Sequence, residues 1–263
     1  MNPLFEEKLV HNQITYRYSK GKSHVDGKEI HPYHEILYYM GGDVTFVSEK
    51  FREKLSPGTL LLIPKETYHQ FCIENQNEYT RMVLIFPDIQ GLQELLAANM
   101  TDIQIIRNLN IHLSNLLERM CRVLCSNQPT ENRGVFLQGA FWMLLGELSF
   151  GGLEILRPKP RENNRLISGC IRYIDAHFTE EISAQKLAEE MNVSTSTLFH
   201  CFKKELGISL YKYIIEKRLI YAHKRIAQQE KPTKIYMECG YNDYPTFYKA
   251  YVKMFGCAPS ENL

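Results

Sequence analysis

The stretch STSTLFHCFKKELG, Ser194 to Gly207, is echoed 49 positions later by DYPTFYKAYVKMFG, Asp243 to Gly256. Leu198, Phe202, Lys204 and Gly207 recur as Phe247, Tyr251, Lys253 and Gly256, and the cap-type Ser194 maps onto Asp243. A short oxygen-bearing side chain before an i, i+4 apolar pair, closed by glycine, marks a helix with both ends defined. Two such helices, each preceded by a shorter helix and a tight turn, read as tandem helix-turn-helix units that would grip a long DNA face.

In the first unit Ser183 is placed to cap a helix through Met191, with Leu187, Ala188 and Met191 on its buried face and Asn192 in the turn. If Leu198 and Phe202 face inward, Thr195, Ser196, Phe199 and His200 lie on the outer N-terminal face, where a recognition helix meets base edges. Lys203 and Lys204 follow one turn on, placed for phosphates. In the second unit Thr233 is a candidate cap, Gly240 supplies the turn, Asn242 or Asp243 caps the next helix, and Pro245 fits only its first turn. Phe247, Tyr251 and Phe255 would face the core, leaving Tyr244, Thr246, Tyr248 and Lys249 outward toward DNA. Between the units, Ser209 caps a helix to about Gln228. Ile215, Leu219, Ala222 and Ile226 form one apolar stripe, and Leu210, Tyr213, Ile214 and Tyr221 a second, so burial on both sides is expected. Its length suits successive major grooves on one DNA face.

Charge agrees with this division. Residues 160–263 hold 15 Lys and Arg against 12 Asp and Glu, a net of +3, whereas residues 1–159 hold 16 against 18, a net of −2. The 263 residues suffice for two domains with separate cores. No apolar run approaches the ~20 residues of a membrane span, and the N-terminus lacks a hydrophobic signal segment, so neither a membrane partner nor export is expected. Seven cysteines without paired spacing point to reduced thiols in a cytoplasm. Cys121 and Cys125, four apart on a predicted helix, read as core packing rather than a metal or redox pair.

Upstream, residues 9 to about 86 read as β. Ile14–Tyr18, Glu35–Met40, Val44–Val47, Thr59–Ile63 and Met82–Phe86 are short and rich in β-branched and aromatic residues, punctuated by Gly41-Gly42, Ser56-Pro57-Gly58 and Pro64-Lys65-Glu66. From Asp88 the period changes. Leu92, Leu95 and Leu96 begin a helix, and Leu109, Leu113, Leu116, Met120 and Val123 form a seam of about two heptads. A further apolar helix, roughly Val135 to Leu148, holds Trp142. These helices read equally as a pair packed on the β-domain or as a dimerisation element. The domain reading is therefore 1–88 β-domain, 89–150 helical dimerisation or packing segment, 151–164 linker rich in proline and polar residues, and 165–263 DNA-binding domain.

The C-terminal pattern resembles the AraC/XylS family of bacterial transcription regulators. Matching residues are Leu187-Ala188, Ser194, Leu198, Phe202-Lys203-Lys204, Gly207, Ser209, Arg218-Leu219, Ala222, Ile235, Gly240-Tyr241, Asp243, Phe247, Tyr251, Lys253, Gly256 and Pro259. Tyr236 departs from the family's usual small alanine, and Val252 from a usual basic residue. Residues 31–69 resemble the cupin domain of sugar-sensing members, through His31-x2-His34-Glu35, Gly42, the Ser56-Pro57-Gly58 turn and Pro64-x4-His69. The resemblance implies an α+β two-domain protein: an N-terminal cupin-like β-barrel followed by helices, then an all-α tandem helix-turn-helix domain.

It further implies a non-enzymatic regulator, most often an activator, that binds an operator as a homodimer, engages RNA polymerase and senses a small molecule such as a sugar. Candidate effector residues are Tyr16, Arg17, Tyr18, His34, Glu35, Tyr38, Tyr39 and His69, of which strand alternation turns only half inward. His31, His34, Glu35 and His69 also admit a metal reading. The family's metal-binding spacing is His-x-His, whereas His-x-x-His points to opposite strand faces, and Glu66 replaces a usual glycine; no metal or cofactor is expected. The alternatives are a metal-dependent cupin enzyme with a DNA-binding tail, and a regulator whose barrel only dimerises.

Overall fold

Strand alternation sorts the N-terminal half into two cores. The computed structural model describes residues 5–21, 28–89, 100–150, 153–156 and 165–262. They divide into two compact units, one formed mainly by residues 1–159 and one mainly by 160–263. In chain order the strands are β1 (Phe5–His11), β2 (Ile14–Lys20), β3 (Lys28–Glu29), β4 (His34–Ser48), β5 (Arg52–Lys54), β6 (Thr59–Ile63), β7 (His69–Phe86), β8 (Gln104–Arg107) and β9 (Glu154–Leu156); all but β3 and the last residue of β4 belong to the first unit. The sheet runs β1-β2-β7-β4-β6-β8-β9. β1 and β2 form a hairpin whose two-residue turn, Asn12 and Gln13, has positive φ at both positions (45° and 66°). That is the backbone twist a tight hairpin requires.

Along β4, Ile36 and Tyr38 join one core and Leu37 and Tyr39 the other. The first core also takes Tyr16, Leu60, Leu62, Met82, Leu84 and Phe86, covered by α1 (Ile111–Leu124) and α2 (Thr130–Ser149). The second is built from the sheet's other face: Val44, Phe46, Leu61, Ile63, Phe71, Tyr79, Val83 and Ile105. Each buried aliphatic side chain contributes about 1.5–3 kcal/mol, so this double patterning fixes the register.

Several boundaries differ from the sequence reading. Gly41-Gly42 does not separate two strands. β4 runs through it, with Gly42 at φ 115° and an added Cβ only 2.9 Å from the Tyr79 Cα, so glycine lets the strand pass its neighbour's backbone. The sheet also extends past residue 88. β8 pairs with β6, and β9, inside the stretch read as linker, pairs with β8. Leu92, Leu95, Leu96, Gly151-Gly152 and residues 157–164 lie outside the described residues.

The leucine seam from Leu113 on lies in α1, and Leu109 precedes the helix. Asn110 caps it by accepting the Leu113 N–H at 2.8 Å. Leu113, Leu117, Met120, Cys121 and Leu124 are buried in the first core. α2 buries Leu137, Ala140, Phe141, Leu144, Leu145 and Leu148, while Val135, Trp142, Met143 and the following Phe150 are exposed.

From residue 165 on the second unit is built of helices: α3 (Arg165–His177), α4 (Ala184–Glu190), α5 (Thr195–Leu206), α6 (Leu210–Ala227), α7 (Pro232–Glu238) and α8 (Tyr244–Phe255), closed by a 3-10 turn at Pro259–Asn262. The α+β, two-domain arrangement expected from the sequence is the one the chain adopts.

Candidate nucleic-acid interface and effector cavity

The two repeats fold alike. Ser194 Oγ accepts the Thr197 N–H at 3.1 Å, and Asp243 Oδ1 accepts the Thr246 N–H at 2.8 Å. Leu198, Phe202, Phe247 and Tyr251 are fully buried, and Gly207 and Gly256 end their helices at φ 74° and 73°. The left-handed turn is reached at Asn192 (φ 55°) in the first unit and Gly240 (φ 72°) in the second. Its hydrogen bonds also correspond: Val193 N–H to Ala188 C=O at 2.9 Å, and Tyr241 N–H to Tyr236 C=O at 3.1 Å. These turn positions are 48 apart whereas the following helices are 49 apart, so the second turn is one residue longer.

α5 presents Thr195, Ser196, Phe199, His200, Lys203 and Lys204 at the surface. The Phe199 ring lies 5.8 Å from that of Tyr211 at the start of α6. α8 exposes Thr246, Tyr248 and Lys249. Tyr244, expected outward, is half-buried; its ring lies 5.7 Å from Tyr236 and 5.9 Å from Phe247, so it walls the second unit's small core. The Thr246 hydroxyl donates to Asp243 Oδ2 at 2.9 Å. Asp243 is fixed by these contacts. The backbone N–H of Thr246, and after it the Thr246 hydroxyl, hold the carboxyl below its usual range.

Two further expectations in this unit are corrected. α7 begins at Pro232 after Lys231, with no side-chain cap; Thr233 lies inside the helix, because proline at the first position needs no N–H partner. Ile215 is exposed rather than part of the buried stripe of α6, whose buried residues are Leu210, Tyr213, Ile214, Leu219, Ile220, Ala222 and Ile226. Phe255, expected to face the core, is partly buried and packs against it, its ring 4.5 Å from that of Tyr251.

Arg218, on α6, ties the domain together. Its guanidinium donates to the carbonyls of Phe178 and Glu180 at 2.7 Å and of Gly240 at 3.1 Å. One cation thereby satisfies the segment after α3 and the second unit's turn. At 18 residues, α6 is about 27 Å long.

In the N-terminal unit a cavity of about 620 Å³ opens between the sheet and α1. It is lined by Phe5, Tyr18, Lys20, Tyr38, Met40, Gly58, Glu118, Cys121, Arg122 and Cys125. Of the candidate effector residues, the fold brings Tyr18 and Tyr38 here. Tyr16 is fully buried beneath them, and burial raises its phenol pKa. Arg17 faces Glu6, with Nε 3.2 Å from Oε1. Tyr39 lies on the opposite face and donates to the Gly42 carbonyl at 2.7 Å.

His34 and Glu35 point to opposite faces. His34 stacks on Phe86 and reaches Asp88 at 3.0 Å, where Lys65 also binds. Glu35 and His69 meet on the other face, Oε2 to Nε2 at 3.5 Å, both buried, with His69 beside Phe46 and Phe71. This pair offers a carboxylate and an imidazole to any ligand reaching it. Lys20, Met40, Glu118, Cys121, Arg122 and Cys125 were missed. The i, i+4 spacings Glu118–Arg122 and Cys121–Cys125 on one helix face were the available signal.

The profile of an AraC-like ligand binding domain matches residues 12–144, and that of a helix-turn-helix domain matches residues 187–263. The chain belongs to the AraC/XylS family. This AraC/XylS protein is a transcriptional regulator with a DNA-binding domain and a ligand-binding domain. It is similar to the probable transcriptional regulator LumQ of Photobacterium leiognathi, 23% identical over 231 residues covering 88% of this chain and 89% of that one. The transcriptional activator RhaS of Mannheimia succiniciproducens is 21% identical over 243 residues, covering 88% and 87%. The solved structure of ToxT from Vibrio cholerae aligns over 98% of this chain and 96% of that one, at 12% identity and a TM-score of 0.41. Among the described residues, no helix is long and apolar enough to cross a membrane.

Proposed function

We propose that this AraC/XylS regulator binds its operator as a cytoplasmic homodimer, and that a small polar effector in the cavity beside α1 shifts the population of DNA-bound arrangements. The observation that carries the DNA reading is the exposed face of α5, held by a capped N-terminus and two buried residues. His200, Thr195 and Ser196 are assigned to base edges, with Phe199 beside them. Lys203 and Lys204 are assigned to phosphates. In α8, Tyr248 and Lys249 chiefly anchor the backbone. Tyr244 belongs to the core, and Thr246 is already bonded to its own cap. The first unit therefore reads sequence and the second mainly holds.

The cavity supports the effector reading. Tyr18 and Tyr38 offer aromatic faces, while Lys20, Glu118 and Arg122 offer charged hydrogen-bonding groups, a combination that suits a sugar. Activation, with RNA polymerase as partner, is favoured because the relative RhaS is described as a transcriptional activator. Dimerisation is assigned to the outward face of α2, where Val135, Trp142, Met143 and Phe150 are exposed and added Cβ atoms at Gly139 and Gly146 would meet open space.

The test uses the full chain and an operator selected from random DNA by the purified protein. A panel of sugars is titrated by calorimetry and into the operator-binding assay. A sugar that binds wild type, binds Y38A at least tenfold more weakly and alters operator affinity is expected. No binding by any sugar, or binding that leaves operator affinity unchanged, would defeat the sensing reading.

A further inference from the structure

We propose that Cys121, Met40 and Met82 form a binding site for a soft monovalent cation, copper(I) or silver(I), in the wall shared by α1 and the sheet. The Cys121 Sγ lies 3.5 Å from the Met82 Sδ and 3.8 Å from the Met40 Sδ. The three sulfurs come from α1, β7 and β4, so tertiary packing, not local sequence, brings them together. Cys121 and Met82 are buried. Met40 and Cys121 also line the cavity, which gives an ion a route in, and Cys125, one helical turn on, adds a fourth sulfur along that route.

The donor set selects the ion. One thiol with two thioethers is a soft ligand set. Thioethers are poor ligands for hard cations, which prefer carboxylate, carbonyl and water oxygens. A d10 ion bonded at about 2.3 Å to three sulfurs holds them about 4 Å apart, slightly wider than the spacing found here, so small rotamer shifts complete the site. Binding breaks the Cys121 S–H bond and forms a metal–sulfur bond; the proton passes to solvent, and the metal stays in the +1 state. Burial raises the Cys121 thiol to about 12, so without an ion the group is a neutral thiol that packs as part of the core. Copper(I) binding would make this wall of the cavity a sensor surface. That consequence, unlike the site itself, rests on the regulator reading above.

The test titrates reduced full-length protein anaerobically with copper(I) against a chromophoric copper(I) chelator. Wild type is expected to hold one ion per chain, and M40L/M82L, which keeps all seven thiols, to hold it at least tenfold more weakly. Equal affinity in the double variant would place the copper on ordinary thiols and overturn the proposal. If the double variant melts below the assay temperature, X-ray absorption on wild type with one equivalent of copper(I) decides. A three-sulfur shell supports the site; a two-sulfur shell, or one with nitrogen or oxygen, overturns it. Operator binding by the metal-free protein is measured on the same preparation. If it is intact while copper fails to bind, only the metal site falls; if it is absent, the regulator reading falls whatever the copper result.

Discussion

Ser194 and Asp243, 49 residues apart, make the same bond: each side-chain oxygen accepts the backbone N–H three residues on, at 3.1 and 2.8 Å. These caps set where α5 and α8 begin, and so which side chains face outward. Ser194→Ala should lower stability by about 1 kcal/mol, seen as a lower thermal midpoint, and weaken operator binding beyond what the lost stability explains. Unchanged operator affinity would mean that the start of α5 does not orient the reading face.

The Asp243 cap makes a signed pH dependence. Its folded pKa is depressed, so its contribution is present above the unfolded carboxyl value and is lost as pH falls through the lower folded one. Comparing thermal midpoints of wild type and Asp243→Asn from pH 6 downward, wild type should lose an advantage over the variant only below the ordinary carboxyl range. A constant difference across that range would refute the assignment.

His200 and Lys203 should separate by kind of effect. His200→Ala should cost about 1–3 kcal/mol at one base position and relax preference there. Lys203→Ala should weaken binding to all sequences alike and reduce the salt slope by about 1. Both are read by titrating an operator panel at several salt concentrations.

Gly240 sits at φ 72° and an added Cβ would lie 2.7 Å from the Arg218 guanidinium carbon. Gly240→Ala therefore strains the backbone and displaces the cation that ties three carbonyls. A loss of more than about 1 kcal/mol in chemical denaturation is expected; Gly139→Ala, with open space at its Cβ, should not match it.

The exposed face of α2 gives a contrast in oligomeric state. Met143→Glu should shift the protein from dimer to monomer in analytical ultracentrifugation. A variant that stays dimeric would move the interface elsewhere.

The helix-turn-helix pair was legible because its signals are local: caps, an i, i+4 buried pair and a closing glycine all fall within 14 residues. The one-residue difference between turns was hidden, since aligning the second helices at 49 leaves the first helices out of step by one. The cavity was not legible for the opposite reason. Tyr18, Tyr38 and Cys121 lie on β2, β4 and α1, and period-two alternation shows that neighbours face oppositely without saying which face a helix covers. Tyr38 and Tyr39 therefore read alike and separate only in the fold. Glu35 and His69 were named individually, but only the sheet brings them to one face.

The two-site DNA reading is tested most directly by hydroxyl-radical footprinting of the purified full chain on its selected operator. Two protected backbone segments per protomer, about 10 base pairs apart on one face of the duplex, are expected. Base substitutions under α5 should cost more than those under α8. A single protected segment, or equal sensitivity under both helices, would contradict it.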